Sequence, residues 1–449
     1  MAGGSAAARG RAGRAAASLG RPPSGPAALS RATPARLGAG FNRLWTASVV
    51  SNTGDGVMAV ALPLLAETLT RQPLLFAGVT VANRLPWLLF SLHAGAIADR
   101  VDRRRLMATV NALRALLVAG LAVAVIADVA SIWLLYVIGF GLGVAETLFD
   151  NASQAFLPAI VERDDLERAN GRLMAGEIVT NQFLGPPLGG FLFGLGAAVP
   201  ILLDAGTFAI SAGLIVSLGG LVATRRPARD PDVVRPRMRT EIAEGLRWLR
   251  DHRLLRGLAV LLGAMNFTST MLFAVFPLYA VGEESALGLS GFGFGVLLTT
   301  TAIGSTIGSL LSARLVTRFG RGPMLWSTLV ASVAVPVVIA ATSNAVVVAA
   351  AFAVFGLAVI LWNVITVSLR QTIIPDRLLG RVNSVYRFLG WGSMPLGSLA
   401  GGAAAALWGV RATFVISGLL MAVPIVIFAG VVRTSEIDAA RAAAAADHP

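Results

Sequence analysis

Residues Gly95–Met107 read GAIADRVDRRRLM, a knot of charge that closes one apolar run of about 22 residues and opens the next. In so short a connection Arg100, Arg103, Arg104 and Arg105 sit at a membrane face. Excess arginine in a short loop marks that face as cytoplasmic, which orients every other element. Bacterial membrane proteins in general keep arginine in their inside loops, so the spacing of Gly95, Asp99, Arg100, Arg103 and Arg104 says more than their charge.

Composition agrees with that start. The 449 residues are 55% hydrophobic and 14% charged, with mean hydropathy +0.74; a soluble domain carries about 25% charged residues. The formal charge is +13, and every basic residue is arginine. That excess lies in loops on one side rather than along one face, so topology explains it and nucleic acid is not expected as a partner. With no cysteine, disulfides and thiolate chemistry are excluded. His93, His252 and His448 are too scattered for a histidine metal site.

Residues 1–40 form a basic, acid-free tail without an apolar signal segment, expected to be disordered and cytoplasmic. An organelle transit peptide has the same composition. Twelve apolar runs long enough to cross about 30 Å of hydrocarbon follow, at 42–66, 74–97, 105–127, 131–156, 170–194, 198–222, 256–281, 290–312, 322–342, 345–369, 384–407 and 411–433. Arginine-bearing connections at 98–105, 223–253, 314–321 and 370–381 alternate with connections almost free of arginine, which places both termini in the cytoplasm. The sequence therefore predicts an all-α membrane protein with a six-helix bundle at 41–222, a linker at 223–254, a second six-helix bundle at 255–433 and a cytoplasmic tail at 434–449. Within the linker, Ile242, Leu246 and Leu249 recur at helical spacing and predict an interfacial amphipathic helix.

The halves also echo each other. Gln154, Pro158 and Asn170 recur as Gln371, Pro375 and Asn383, and LGPPLGG at 184–190 as LGSLAGG at 396–402. The second copy of the opening loop, ARLVTRFGRG at 313–322, has Thr317 where Asp99 stood. Twelve helices in two pseudo-symmetric bundles are expected to place a site at mid-membrane between them.

The opening loop resembles the signature G-x-x-x-D-R-x-G-R-R between helices 2 and 3 of the major facilitator superfamily, with Asp102 in place of the usual glycine. Length, the two six-span halves and the central loop extend the resemblance over nearly all of residues 40–433. SNTGDGVMAVALPLL at 51–65, RLPWLLFSLHAGAIADRVDRRRLM at 84–107, ETLFDNASQAFLP at 146–158 and LERANGRL at 166–173 are similar to the branch that holds enterobactin exporters and macrolide efflux pumps. The resemblance implies that Asp99 faces the positive end of span 11 near Asn383 and Ser384 and closes the inner side. That conformational gate comprises Gly95, Asp99, Arg100, Arg103 and Arg104, and a helix dipole gives it about 0.3 to 2 kcal/mol.

Ionisable groups inside hydrocarbon are expensive and become functional candidates by default. They crowd the first half. Asp55 lies about 20 Å into span 1, on a face with Ser48 and Asn52, and is either a proton carrier or a structural partner of Arg84. Glu146 and Asp150 are one turn apart on span 4, and Arg114 on span 3 is the cation that would let both ionise. Glu146 is assigned to coupling or substrate recognition, Asp150 to a structural clamp, and Glu177 to a further proton site. Span 5 carries GEIVTNQFLGPPLGG at 176–190. Its Gly176, Gly185, Pro186, Gly189 and Gly190 are similar to the span-5 motif of antiporters in the superfamily, with Asn181 where a small residue is usual; close packing alone also explains them. Asn266, Phe273, Trp362 and Asn363 in the second half, with Asn52, are the candidates for contact with a large, mostly apolar solute.

These features predict a secondary transporter, a proton-driven exporter of small amphipathic molecules (drug, macrolide or siderophore). It is expected to be monomeric in the bacterial cytoplasmic membrane, with small solute, protons and lipid as partners. No cofactor is expected, and no lysine is available for a phosphate-binding loop. The alternatives are a proton-coupled importer or facilitator of a nutrient and, from another class, a lipid scramblase or membrane-embedded enzyme. The enzyme would need a clustered His/Asp or Cys site, and His93 is the only histidine within a span.

Overall fold

The computed structural model describes residues 37–98, 100–220 and 238–447. Among these, ten helices are long and apolar enough to cross a membrane. In the first half they are α1 (Gly38–Leu69), α2 (Pro73–Ala98), α3 (Arg103–Ile126), α4 (Ile132–Ile160) and α7 (Ala198–Val216). Between α4 and α7 the fifth crossing is composite. It consists of α5 (Leu166–Glu177), a π-helical turn at Ile178–Leu184 and α6 (Gly185–Leu195). A linker helix, α8 (Met238–Asp251), precedes the second half. That half has α9 (Arg253–Phe273) with the short α10 (Phe276–Ala280), α11 (Gly291–Phe319), α12 (Arg321–Ala341), α13 (Ala345–Ile373), α14 (Asp376–Trp408) and α15 (Val410–Phe428). A last helix, α16 (Thr434–Asp447), buries Ile437 in the core of the second half.

Local chemistry sets the boundaries. The Asp102 carboxylate accepts from the Arg105 N–H at 3.0 Å and caps α3, so the residue that replaces the usual glycine starts the helix. Asn344 caps α13 in the same way, accepting from Val346 N–H at 2.8 Å. Gly320 and Gly409 take φ of 85° and 84°, a conformation costly for other residues, and turn α11 into α12 and α14 into α15. Pro375 begins α14. The expected start at 384 is thus eight residues too late, and Asn383 and Ser384 lie about two turns inside the helix, away from its positive end.

Packing repeats between halves. In the first, α2 pairs with α4, α3 with α7, α1 with α7 and α1 with α6; in the second, α11 pairs with α13, α12 with α15, α9 with α15 and α9 with α14. The crossings between halves obey the same exchange: α6 lies on α11, and α14 lies on α2. Each half holds two apolar clusters, one toward each end. Leu116, Val137 and Val426 stand exposed on the perimeter, as lipid-facing side chains should.

Candidate functional site

At mid-depth in the first half, between its two apolar clusters, lies a polar layer. Arg114 of α3 is 4% exposed, with its guanidinium 5.1 Å from the Phe208 ring and 5.6 Å from the Phe149 ring. Its Nε–H has no hydrogen-bond partner among the described residues. Its charge acts on Asp55, Asp150 and Asp204. Asp55 also accepts from Ser51 and feels the charges of Glu146 and Glu177. Asp204 of α7 is 1% exposed; Thr207 Oγ1 donates to its Oδ1 at 3.3 Å, and Gly54 of α1 gives it room, since a Cβ there would overlap the Asp204 carboxyl. Alongside, Asn111 Nδ2 donates to Ser211 Oγ at 2.9 Å, both fully buried.

Asp55 and Asp150 are therefore brought within electrostatic reach of Arg114, Glu146 and Glu177. Arg84 is not. It is exposed on α2, outside the charges that act on Asp55, and with Thr80 closes one side of a cavity otherwise walled by the second half. The alternative in which it pairs with Asp55 is not met; Asp55 instead feels Arg114 of α3, a helix packed on α7, which in turn packs on α1. Asp204 was the acid that reading spans one at a time undervalued; its only signal is a carboxylate in an otherwise apolar helix.

The halves meet closely at the end opposite the arginine-rich loops. A Cβ on Gly190 would overlap the backbone of Gly291, and one on Gly295 the carbonyl of Pro186, so α6 and α11 touch backbone to backbone. Gly185 and Gly189 make the same close approach to Gly56 and Val57 of α1, and Gly176 to Val49 and Trp45. The span-5 glycines are close-contact positions, three of them within the first half and Gly190 across the divide. Pro186 and Pro187 lack N–H donors, and the turn before them widens so that Gly185 N–H reaches Thr180 O, five residues back. At the same end Arg71 ties Glu67 (3.3 Å) to Glu284 of the other half. Contacts between α2 and α14 run from Pro73 and Gly402 to Trp87 against Trp391, edge to face at 4.9 Å.

Beyond Trp87 and Trp391 lies a cavity of about 930 Å³. Asn266, Phe273, Trp362 and Asn363 all line it, although Trp362 is 2% exposed and mostly core. Asn52 does not line it; its amide donates to Ser48 O at 2.8 Å, folded back on its own helix. Arg370, expected in a loop, belongs to α13 and lines the cavity. Its guanidinium lies 4.6 Å over the Tyr386 ring and donates to Asn383 Oδ1 at 2.9 Å, which anchors it inside the bundle. In the signature loop, Arg103 donates to Ala155 O and Arg104 to Val216 O, both at 2.9 Å, and Arg100 is exposed. Gly95 sits against Asn151. Asp99 lies outside the described residues.

A chain of two matched helical bundles has known counterparts. Its fold matches a solved mutant of the nucleoside transporter NupG with TM-score 0.69 at 12% identity, covering 88% of this chain and 100% of that one. A relative named multidrug efflux pump Tap, from Mycolicibacterium fortuitum, is 29% identical over 413 residues, 88% of this chain and 96% of its own. The enterobactin exporter EntS of Salmonella typhi is 24% identical over 349 residues, 77% and 81% of the two chains. The family pattern described as transmembrane secretion effector matches residues 30–449, and the chain belongs to that family of major facilitator transporters, multi-pass membrane proteins rather than enzymes.

Proposed function

We propose that the protein is a proton-driven exporter of small amphipathic molecules that works by rocking its two bundles about the central cavity. The observation that carries this reading is the carboxylate layer buried in the first half around Arg114. Asp55, Asp150 and Asp204 feel the charge of one interior guanidinium, Arg114, and Glu146 adds its own charge on Asp55, Asp150 and Glu177. Charge neutrality in a low-dielectric layer then requires protons or another cation, and a group that exchanges them with the cavity couples a gradient to the transport cycle. Export as the direction is supported by the names of the relatives, a multidrug efflux pump and an enterobactin exporter. In the cycle, the Gly190–Gly291 and Pro186–Gly295 contacts would part as the opposite end closes. The protein would act as a monomer in the bacterial cytoplasmic membrane, with both termini in the cytoplasm and no cofactor beyond the gradient.

The test uses everted membrane vesicles from a pump-deficient host. A pH gradient, acid inside, should drive at least one of a panel of anionic, neutral and cationic amphipathic dyes into vesicles carrying the protein and not into those carrying Asp55→Asn. Uptake that ignores the gradient would point to a facilitator. Movement in the reverse sense would point to an importer.

A further inference from the structure

The walls of the central cavity carry a charge pattern that the proposed efflux does not by itself require. Its charged lining consists of Arg84 from α2, Arg370 from α13 and Arg387 from α14, and no aspartate or glutamate lines it. None of the three arginines has a carboxylate within ion-pair distance among the described residues. Arg370 is anchored by Asn383 and Tyr386. Arg387 has only a ring for company, 5.2 Å from Trp391, and Arg84 has no polar partner among the described residues. Both Arg84 and Arg387 are exposed to the cavity. The five carboxylates of the first half are not among the lining residues.

Arg84 on α2 and Arg387 within α14 lack a carboxylate partner among the described residues, and a guanidinium inside a membrane bundle is usually justified by a substrate or ion that pairs with it. Three like charges lining one cavity raise its potential and concentrate anions there. Guanidinium is also suited to the two oxygens of a carboxylate or sulfonate, which it holds in a fork. The rest of the wall, with Phe273, Phe355, Trp391 and Met394, accepts an aromatic or aliphatic body.

We propose that the transported molecule is an amphipathic organic anion, held by Arg84 and Arg387 through its acidic group and by the aromatic wall through its body. This rests on the reading of the protein as an exporter but concerns recognition, which equilibrium binding reads without any gradient. The two ideas therefore fail separately: a gradient that moves no solute sinks proton-driven efflux, whereas a binding order blind to charge sinks anion recognition.

The experiment compares three probes with one ring system, 2-naphthoate, 2-naphthylmethanol and 2-naphthylmethylammonium, binding to purified full-length protein at pH 7.5 and followed by tryptophan fluorescence. Naphthoate should bind at least about tenfold tighter than the ammonium probe. In Arg84→Gln and Arg387→Gln the ratio of naphthoate to alcohol affinity should fall roughly tenfold or more, and Arg387→Lys should restore part of it. Binding of the alcohol shows that each variant is folded. Three results overturn the proposal: an ammonium probe that binds as well as the carboxylate, a naphthoate preference that survives both glutamine variants, or no naphthoate binding at all.

Discussion

The first bundle buries charge at mid-depth, and the second buries rings. In the first, Arg114, Asp55, Asp150 and Asp204 share a layer between two apolar clusters. At the outer end of the second, Phe276 packs against Phe273, Phe294, Phe352 and Phe414, and Tyr279 closes the group. Helix pairings are nevertheless the same in both. A repeated scaffold has thus been kept while its two interiors differ, one holding buried charge and the other aromatic packing with arginines turned to the cavity. Helix packing tolerates this because it depends on small residues at crossings, which both copies retain.

The comparison breaks first if the acids of the first bundle do not matter to transport. Asp55→Asn should reduce gradient-driven movement roughly tenfold or more, while substitution of the exposed Glu284 in the second half should not; vesicle uptake measures both. Next comes stability. Arg114→Met removes the buried guanidinium that lies over the Phe149 and Phe208 rings among these acids and should lower the thermal midpoint of the purified protein. Arg387→Met in the other bundle should leave that midpoint nearly unchanged, because its side chain is exposed.

A third test addresses the seam between bundles. Gly190→Ala and Gly295→Ala place a methyl on facing backbone and should disfavour the closed outer end by about 1 to 3 kcal/mol. Gly194→Ala has open space around its Cβ and should not. Labelling of a cysteine introduced near Leu64 reports the difference. Smaller still is the effect of Arg71→Ala at the outer rim, where the side chain is 61% exposed. Labelling there should quicken by less than about threefold, and high salt should mimic the substitution.

The smallest concerns His252, outside the spans, whose ring accepts from Leu255 N–H at 3.4 Å at the head of α9. Burial holds its pKa below the usual 6.5, so the folded protein prefers the neutral cap. Its contribution is complete above about pH 6.5 and is lost as pH falls toward the folded pKa. His252→Asn keeps a capping acceptor and should flatten that pH dependence of the thermal midpoint.

Span positions were legible because about 20 apolar residues are needed to cross a bilayer, and α1, α2 and α3 begin or end within a few residues of expectation. The acids stood out because hydrocarbon makes them rare. What the chain order hid was tertiary. Arg84 and Arg114 are both mid-span arginines near Asp55 in sequence terms, and only the packing of α3 on α7 and α7 on α1 decides between them. Arg370 was read as loop charge because α13 runs four residues past the apolar run, carried by a side chain that stacks on Tyr386. The capping role of Asp102 was present in the letters but masked by the glycine its position usually holds.

The wide turn at Ile178–Leu184 has a consequence for evolution by deletion. Removing one residue from a regular helix swings everything downstream by about 100°, which would carry Gly185, Gly189 and Gly190 off the neighbours they touch. In the fifth crossing, spare length is already stored in the turn before those glycines. A single-residue loss between 178 and 184 would be absorbed by tightening it, leaving the seam in register, so length variation within a crossing should concentrate there.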